Sequence, residues 1–72
     1  MLKVYPEYAN RVVVFNGHGG NEICIHLDVD GKVTATFVYT FITPNYCTLT
    51  ELPERQVAEL LEGDFKREVR EN

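Results

Sequence analysis

The chain has 72 residues, with 7 Lys and Arg against 11 Asp and Glu and a formal net charge of −4 at pH 7. Apolar residues make up 44% and charged residues 25%, a globular composition that excludes a disordered tail. The length predicts one domain over residues 1–72, and no apolar run approaches the roughly 18 residues of a membrane span.

The first half of the chain predicts short strands. Residues 2–5 form a candidate strand that Pro6 ends, because proline cannot donate to a β-ladder. Residues 11–15 predict a second strand, since four of the five are β-branched or aromatic. Residues 16–21, rich in Gly and Asn, predict a hairpin loop.

Residues 22–28 alternate polar and apolar side chains, which indicates a strand with one face on the core. Residues 32–43 predict a long partner strand. A loop at 30–31 would set apolar residues opposite threonines. A three-residue loop at 29–31 sets apolar opposite apolar and gives Gly31 the left-handed position of a glycine bulge. We therefore expect the second register, which pairs Asp28 with Lys32, Leu27 with Val33, Ile25 with Ala35 and Ile23 with Phe37.

This register divides the long strand into two faces. The expected core face holds Val33, Ala35, Phe37, Tyr39 and Phe41. The opposite face, beside Cys24 and His26, holds Thr34, Thr36, Val38, Thr40 and Ile42. It is polar at first but apolar near its end.

Beyond Pro44 the pattern becomes helical. Pro53 suits a first turn, which makes Thr50 or Leu52 the expected N-cap. The helix should bury a stripe at helical spacing. Its members are Val57, Leu60 and Leu61.

Gly63 is the expected left-handed terminator of this helix, which should end near Glu62. Asp64 could then begin a second short turn whose Phe65 and Val69 reach back to the core. We therefore predict an α+β fold: a three- to four-stranded antiparallel meander with one C-terminal helix, kinked at Gly63, packed on one face.

The sequence offers weak candidates for chemistry. The glycine-rich loop at 17–20 lacks the Lys and the following helix of a phosphate loop. Cys24 and His26 share a strand face and, with His18 and Cys47, could bind zinc, although structural zinc sites bring their ligands in tight pairs. A thiolate–imidazole nucleophile has no visible orienting group. We expect no enzyme activity, no metal and no cofactor, and two reduced thiols.

Charge argues against duplex nucleic acid as a partner. Residues 51–72 carry seven acidic and four basic side chains, which alternate rather than cluster, whereas a duplex-binding surface needs clustered Lys and Arg. Residues 1–5 lack the basic-then-apolar pattern of a signal peptide, so we expect a cytoplasmic protein.

The strand end at residues 37–42 is apolar on both faces, and one helix can cover only one of them. The N-terminal segment, a second copy or another protein could cover the other, and apolar patches on small proteins often mark interfaces. We therefore predict a small acidic protein-binding module, an adaptor or inhibitor of the kind common in phages, with a homodimer as the expected pairing. The alternative is single-stranded nucleic-acid or nucleotide binding through sheet aromatics. The expected binding residues are Val38, Thr40 and Ile42 at the centre, with Thr36 and His26 at the rim.

Overall fold

The computed structural model describes residues 3–16, 21–43, 46–50 and 52–71, with the backbone alone for residues 41–43 and 46–50. A 3₁₀ turn at Pro6–Tyr8 precedes the regular elements. These are β1 (Arg11–Asn16), β2 (Asn21–Leu27), β3 (Val33–Thr43), β4 (Tyr46–Thr50), α1 (Glu54–Glu62) and β5 (Glu68–Glu71).

The strands form one antiparallel sheet in the order β4-β3-β2-β1-β5. Strands β1 to β4 are a four-stranded meander, which confirms the predicted α+β fold, and α1 then leads to β5 at the opposite edge. The fourth strand is β4 rather than residues 2–5. Of the described residues 3–5, Val4 alone forms a bridge, to Lys32.

The turn between β2 and β3 follows the predicted three-residue loop. The Asp28 N–H donates to the Lys32 carbonyl at 2.9 Å, and Gly31 has a left-handed φ of +83°. The Asp28 carboxylate accepts from the N–H groups of Asp30 at 2.9 Å and Lys32 at 3.0 Å. A Cβ at Gly31 would lie 2.4 Å from the Tyr5 carbonyl oxygen. Both the conformation and the close approach require glycine.

Beyond the turn, a β-bulge changes the register. Leu27 pairs with Val33 as expected, but His26 pairs with Ala35, which leaves Thr34 as an extra residue in β3. The pairs expected further along are therefore wrong by one position, and one position exchanges the two faces. Ile25 lies opposite Thr36 rather than Ala35, and Ile23 lies opposite Val38 rather than Phe37.

The hydrophobic core lies between α1 and one face of the sheet, which we call the closed face. The buried stripe of α1 consists of Val57 and Leu61, with Leu60 partly buried beside it. Tyr5 is also buried there, at 6% exposure, so the N-terminal segment packs on the same side as the helix. The sheet supplies Val13, Phe15, Ile25 and Leu27 to this core.

The end of α1 is held by an arginine rather than by a left-handed glycine. The helix ends at Glu62 as expected, but Gly63 is extended (φ −84°, ψ 173°). The Arg67 guanidinium donates to the carbonyls of Leu61 at 3.0 Å and Gly63 at 2.6 Å. A cation bonded to the last carbonyls of a helix is also stabilised by the negative end of the helix dipole.

The expected second turn after Gly63 is wrong. Residues 63–67 have no regular structure, and Glu68–Glu71 form β5, so no helical segment follows to make a kink. Phe65 and Val69 are 53% and 47% exposed rather than part of the core. The expected N-cap was also wrong, since Pro53 occupies that position and no side chain caps the helix.

Among the described residues, no helix is long and apolar enough to cross a membrane.

Candidate functional site

The face of the sheet opposite α1 carries the candidate site, and we call it the open face. The strand pairings align its side chains in rows across the sheet, because directly opposed residues share a face. One row is Arg70, Val12, His26 and Ala35; the next is Glu68, Val14, Cys24 and Phe37; the third is Asn16, Glu22 and Tyr39.

Three rings lie together on the open face. The Phe37 ring meets the His26 ring edge-on, with centroids 5.7 Å apart and an interplanar angle of 80°. Tyr39 lies on the other side of Phe37 at 6.3 Å and 46°. Edge-on and tilted aromatic pairs at these distances are favourable. All three side chains are half-buried, so the rings form a supported surface.

Cys24 lies beside Phe37 on the open face and is not an activated nucleophile. Its thiol is buried, at 8% exposure, and donates a long hydrogen bond to Glu22 Oε1 at 3.6 Å. Burial first, and then the Glu22 carboxylate, raises the pKa of the Cys24 thiol, while Arg70 opposes them weakly. A raised pKa keeps the thiol protonated, which is the opposite of what thiolate catalysis needs.

The rim of the open face is mainly acidic. Arg70 donates to Glu68 Oε2 at 2.9 Å, and this bond lowers the pKa of Glu68. A shallow groove of about 480 Å³ lies on this surface. It is lined by Val12 and Val14, by the charged Glu22 of β2 and Arg70 and Glu71 at the end of β5, and by Cys24, His26 and Tyr39. The groove thus combines an apolar floor with a negative rim.

The bulge at Thr34 separates the predicted binding residues. His26 lies on the open face as expected, but Thr36, Val38 and Thr40 lie on the side of Ile25 and Ile23. Their assignment to the face of His26 is therefore wrong. The side chain of Ile42 lies outside the described residues, and a binding role for any of these four stays a prediction.

Phe37 and Tyr39 are the residues that sequence reasoning placed on the wrong face. They were expected to point into the core, and the bulge turns them toward the open face. Threonines occupy alternate positions at the start of β3, and this pattern does not indicate an extra residue at Thr34. Thr36 instead faces the helix side, where its hydroxyl bonds both the N–H and the carbonyl of Leu52 at 3.3 Å.

The metal hypothesis gains no geometric support. Across the residues that the structure describes, no group of three or more His, Cys, Asp or Glu side chains is placed to hold a metal ion. His18 and the loop at 17–20 lie outside the described residues, as does the side chain of Cys47. Cys24 is a free thiol.

Comparison of the chain with protein-family models, with curated proteins and with solved structures finds no match in any of the three.

Proposed function

We propose that this protein is a non-enzymatic protein-binding module whose open face docks on a partner with an apolar centre and basic edges. One observation carries the proposal: the rings of His26, Phe37 and Tyr39 are supported from below, yet no described element covers them. Aromatic side chains on a rigid scaffold are the residues that most often dominate binding energy.

The charge of the rim argues for a different protein rather than a second copy on this face. Two copies packed face to face would bring together their mainly acidic rims, which include Glu22 and Glu68. Opposed like charges are unfavourable, whereas a basic partner would be attracted by the same groups. The partner expected from this chemistry therefore presents Lys or Arg around an apolar side chain.

Self-association stays a prediction, but the strand expected to mediate it is now different. β3 is flanked by β2 and β4 and offers no free edge along residues 38–43. The sheet edges are β5, where three of four residues are charged, and β4, which has no charged residue. Charges protect an edge from further pairing, so a homodimer would pair through β4.

A paired capture experiment tests the proposal. The Phe37→Ala/Tyr39→Ala variant and the wild type would each be immobilised in lysate of the source cells at low salt, with retained fold checked by circular dichroism. The double variant should retain the partner about thirtyfold less, as expected for the loss of hot-spot aromatics. The control, Gln56→Ala/Glu59→Ala, changes exposed positions of α1 and should retain it like the wild type.

Salt should release the captured protein, because acidic edges contribute to the attraction. Equal retention by wild type and the Phe37/Tyr39 variant would contradict the proposal, as would a partner released by no amount of salt. An adaptor or inhibitor acting in the cytoplasm is the role this binding would serve.

Single-stranded nucleic acid is the second candidate, because Phe37 and Tyr39 lie on the open face rather than in the core. Stacking of bases on sheet aromatics is a common binding mode. The acidic rim opposes it. Filter binding at low salt with oligo(dT) and oligo(U) separates the two candidates: retention of either oligonucleotide that the Phe37→Ala/Tyr39→Ala variant loses would favour nucleic acid over protein.

A further inference from the structure

A second concave site lies on the other side of the sheet, between the first half of α1 and the start of β3. It is a half-open cleft of about 710 Å³, within the size range of sites for small molecules. Its apolar wall is formed by Val33, Leu52, Val57 and Ala58, and its polar groups include Thr34 and Thr36.

The cleft concentrates positive charge in an acidic protein. Three of the chain's seven basic residues line it, namely Lys3, Lys32 and Arg55, against one acidic residue, Glu54. Lys3 is already bonded to Glu62. Lys32 and Arg55 form no salt bridge with any residue that the structure describes. Lys32 is near enough to Asp28 to help lower the pKa of that carboxyl. Both Lys32 and Arg55 are exposed, so both can approach an external anion.

The position of Arg55 is locally unfavourable. It lies in the first turn of α1, where the positive end of the helix dipole favours acidic side chains and disfavours basic ones. Pro53 at the N-cap position makes no side-chain hydrogen bond to this turn. Arg55 thus departs from a local preference and forms no salt bridge within the part of the chain that the structure describes, which makes it a candidate for a binding role.

The bulge gives the cleft its second wall. Thr34, the extra residue in β3, lines the cleft together with its neighbour Val33. Its hydroxyl donates to the His26 carbonyl at 3.3 Å, which holds the bulge in place and leaves the oxygen able to accept. Bulges often re-aim side chains beside binding sites.

We infer that this cleft binds a phosphomonoester with an apolar or aromatic body. The phosphate would pair with Lys32 and Arg55, and its charge of about −1.5 to −2 at pH 7 matches two cations better than a carboxylate does. The body would lie against Leu52, Val57 and Ala58. This site is separate from the open face, so it neither requires nor tests the proposed protein partner.

Titration of ¹⁵N-labelled protein with phenyl phosphate at low salt tests the inference. The amide signals of Thr34, Arg55 and Ala58 should shift and saturate in the millimolar range, at probe concentrations up to about 10 mM. Lys32→Gln and Arg55→Gln should each weaken binding about tenfold. Lys66→Gln, which removes the same charge at an exposed position outside the cleft, should bind like the wild type.

Two further probes separate the contributions. Benzyl alcohol, which lacks the charge, should not saturate, and inorganic phosphate, which lacks the ring, should bind more weakly than phenyl phosphate. The spectrum of each variant reports directly whether it is folded. The inference is overturned if phenyl phosphate shifts do not saturate, if Lys32→Gln and Arg55→Gln both bind it like the wild type, or if inorganic phosphate binds equally well.

Discussion

The two faces of the sheet are built from alternate residues of the same strands, yet they differ in composition and in burial. The closed face is apolar and covered by α1 and Tyr5, and its Val13, Ile25 and Leu27 are fully buried. The open face carries rings, a thiol and an acidic rim, and its three rings are only half-buried. The open face also buries Val14 and Cys24, but no described helix covers its rings, and this is the surface that we propose for binding.

This division depends on one inserted residue. Without the bulge at Thr34, Phe37 and Tyr39 would join the closed face, and Thr36 and Val38 would line the open one. The open face would then be threonine-rich rather than aromatic. The composition of the proposed binding face therefore depends on the register of the β2–β3 hairpin.

The largest expected effect separates two neighbouring residues on opposite faces. Ile25→Ala should lower the free energy of unfolding by about 2–4 kcal/mol, because it empties a fully buried site. A domain of this size has only about 3–5 kcal/mol in total, so we expect a variant that keeps little stability. His26→Ala should cost about 1 kcal/mol or less. Urea denaturation followed by circular dichroism gives both values, and equal losses would contradict the division into two faces.

The next effect concerns the end of the closed face. The Arg67 guanidinium donates to the Tyr8 hydroxyl at 3.0 Å and lies 5.0 Å above the centre of the Phe15 ring, besides bonding the end of α1. Arg67→Met keeps the aliphatic stem but removes these bonds, and it should cost about 1–3 kcal/mol.

Lys66→Met, at the exposed neighbouring position, serves as the control for this variant and should change stability by about 0.5 kcal/mol or less. Thermal unfolding of the two variants side by side measures the difference. If Arg67→Met melts at the wild-type temperature, the guanidinium does not hold the helix end.

A smaller effect tests the turn that begins the register. Hydrogen bonds from the N–H groups of Lys32 and Asp30 lower the pKa of Asp28. The folded state thus holds this proton less tightly than the unfolded state, so the stabilisation is present at neutral pH and is lost as the pH falls below about 4. Asp28→Asn should flatten the acid limb of a stability–pH profile, whereas Asp30→Asn should leave the contribution of Asp28 intact. A profile unchanged by Asp28→Asn would contradict this role.

The smallest expected effect concerns the accessibility of the buried Cys24 thiol on the open face. In a Cys47→Ala background, the native Cys24 thiol should react with Ellman's reagent at least about tenfold more slowly than the urea-unfolded chain, because the thiol is buried and its pKa is raised. The raised pKa also means that its contribution to stability is present at neutral pH and is lost as the pH rises through the folded pKa. If the native thiol reacts as fast as the thiol of the unfolded chain, Cys24 is exposed on the open face and its burial is contradicted.

Local patterns predicted β1, β2, β3 and α1, but neither the bulge nor β4, since residues 46–50 form a strand where a helical pattern was expected. The alternation in β2, the left-handed Gly31, the Leu27–Val33 pair and the end of α1 at Glu62 could all be inferred, since each depends on residues close in the chain. The bulge could not, because Thr34 is small and polar and suits either register.

Two other features required distant contacts. β5 has three charged residues of four and pairs with β1 from the far end of the chain, so no local hydrophobic pattern marks it. Arg67 bonds the last carbonyls of α1 while its guanidinium is held by Tyr8 and Phe15 from the start of the chain. Gly63 therefore does not take the left-handed conformation expected of it. Of the predicted binding residues whose side chains the structure describes, only His26 lies on the open face. The binding role of that face stays a prediction.

The arrangement of Phe37 is most directly tested by nuclear Overhauser contacts of its ring protons in solution. The ring should show contacts to the β-protons of Cys24, its cross-strand partner, and to the rings of His26 and Tyr39. Contacts from Phe37 to the methyl groups of Val57 or Leu61 would place the ring beneath α1 instead, and would contradict both the bulge and the aromatic open face.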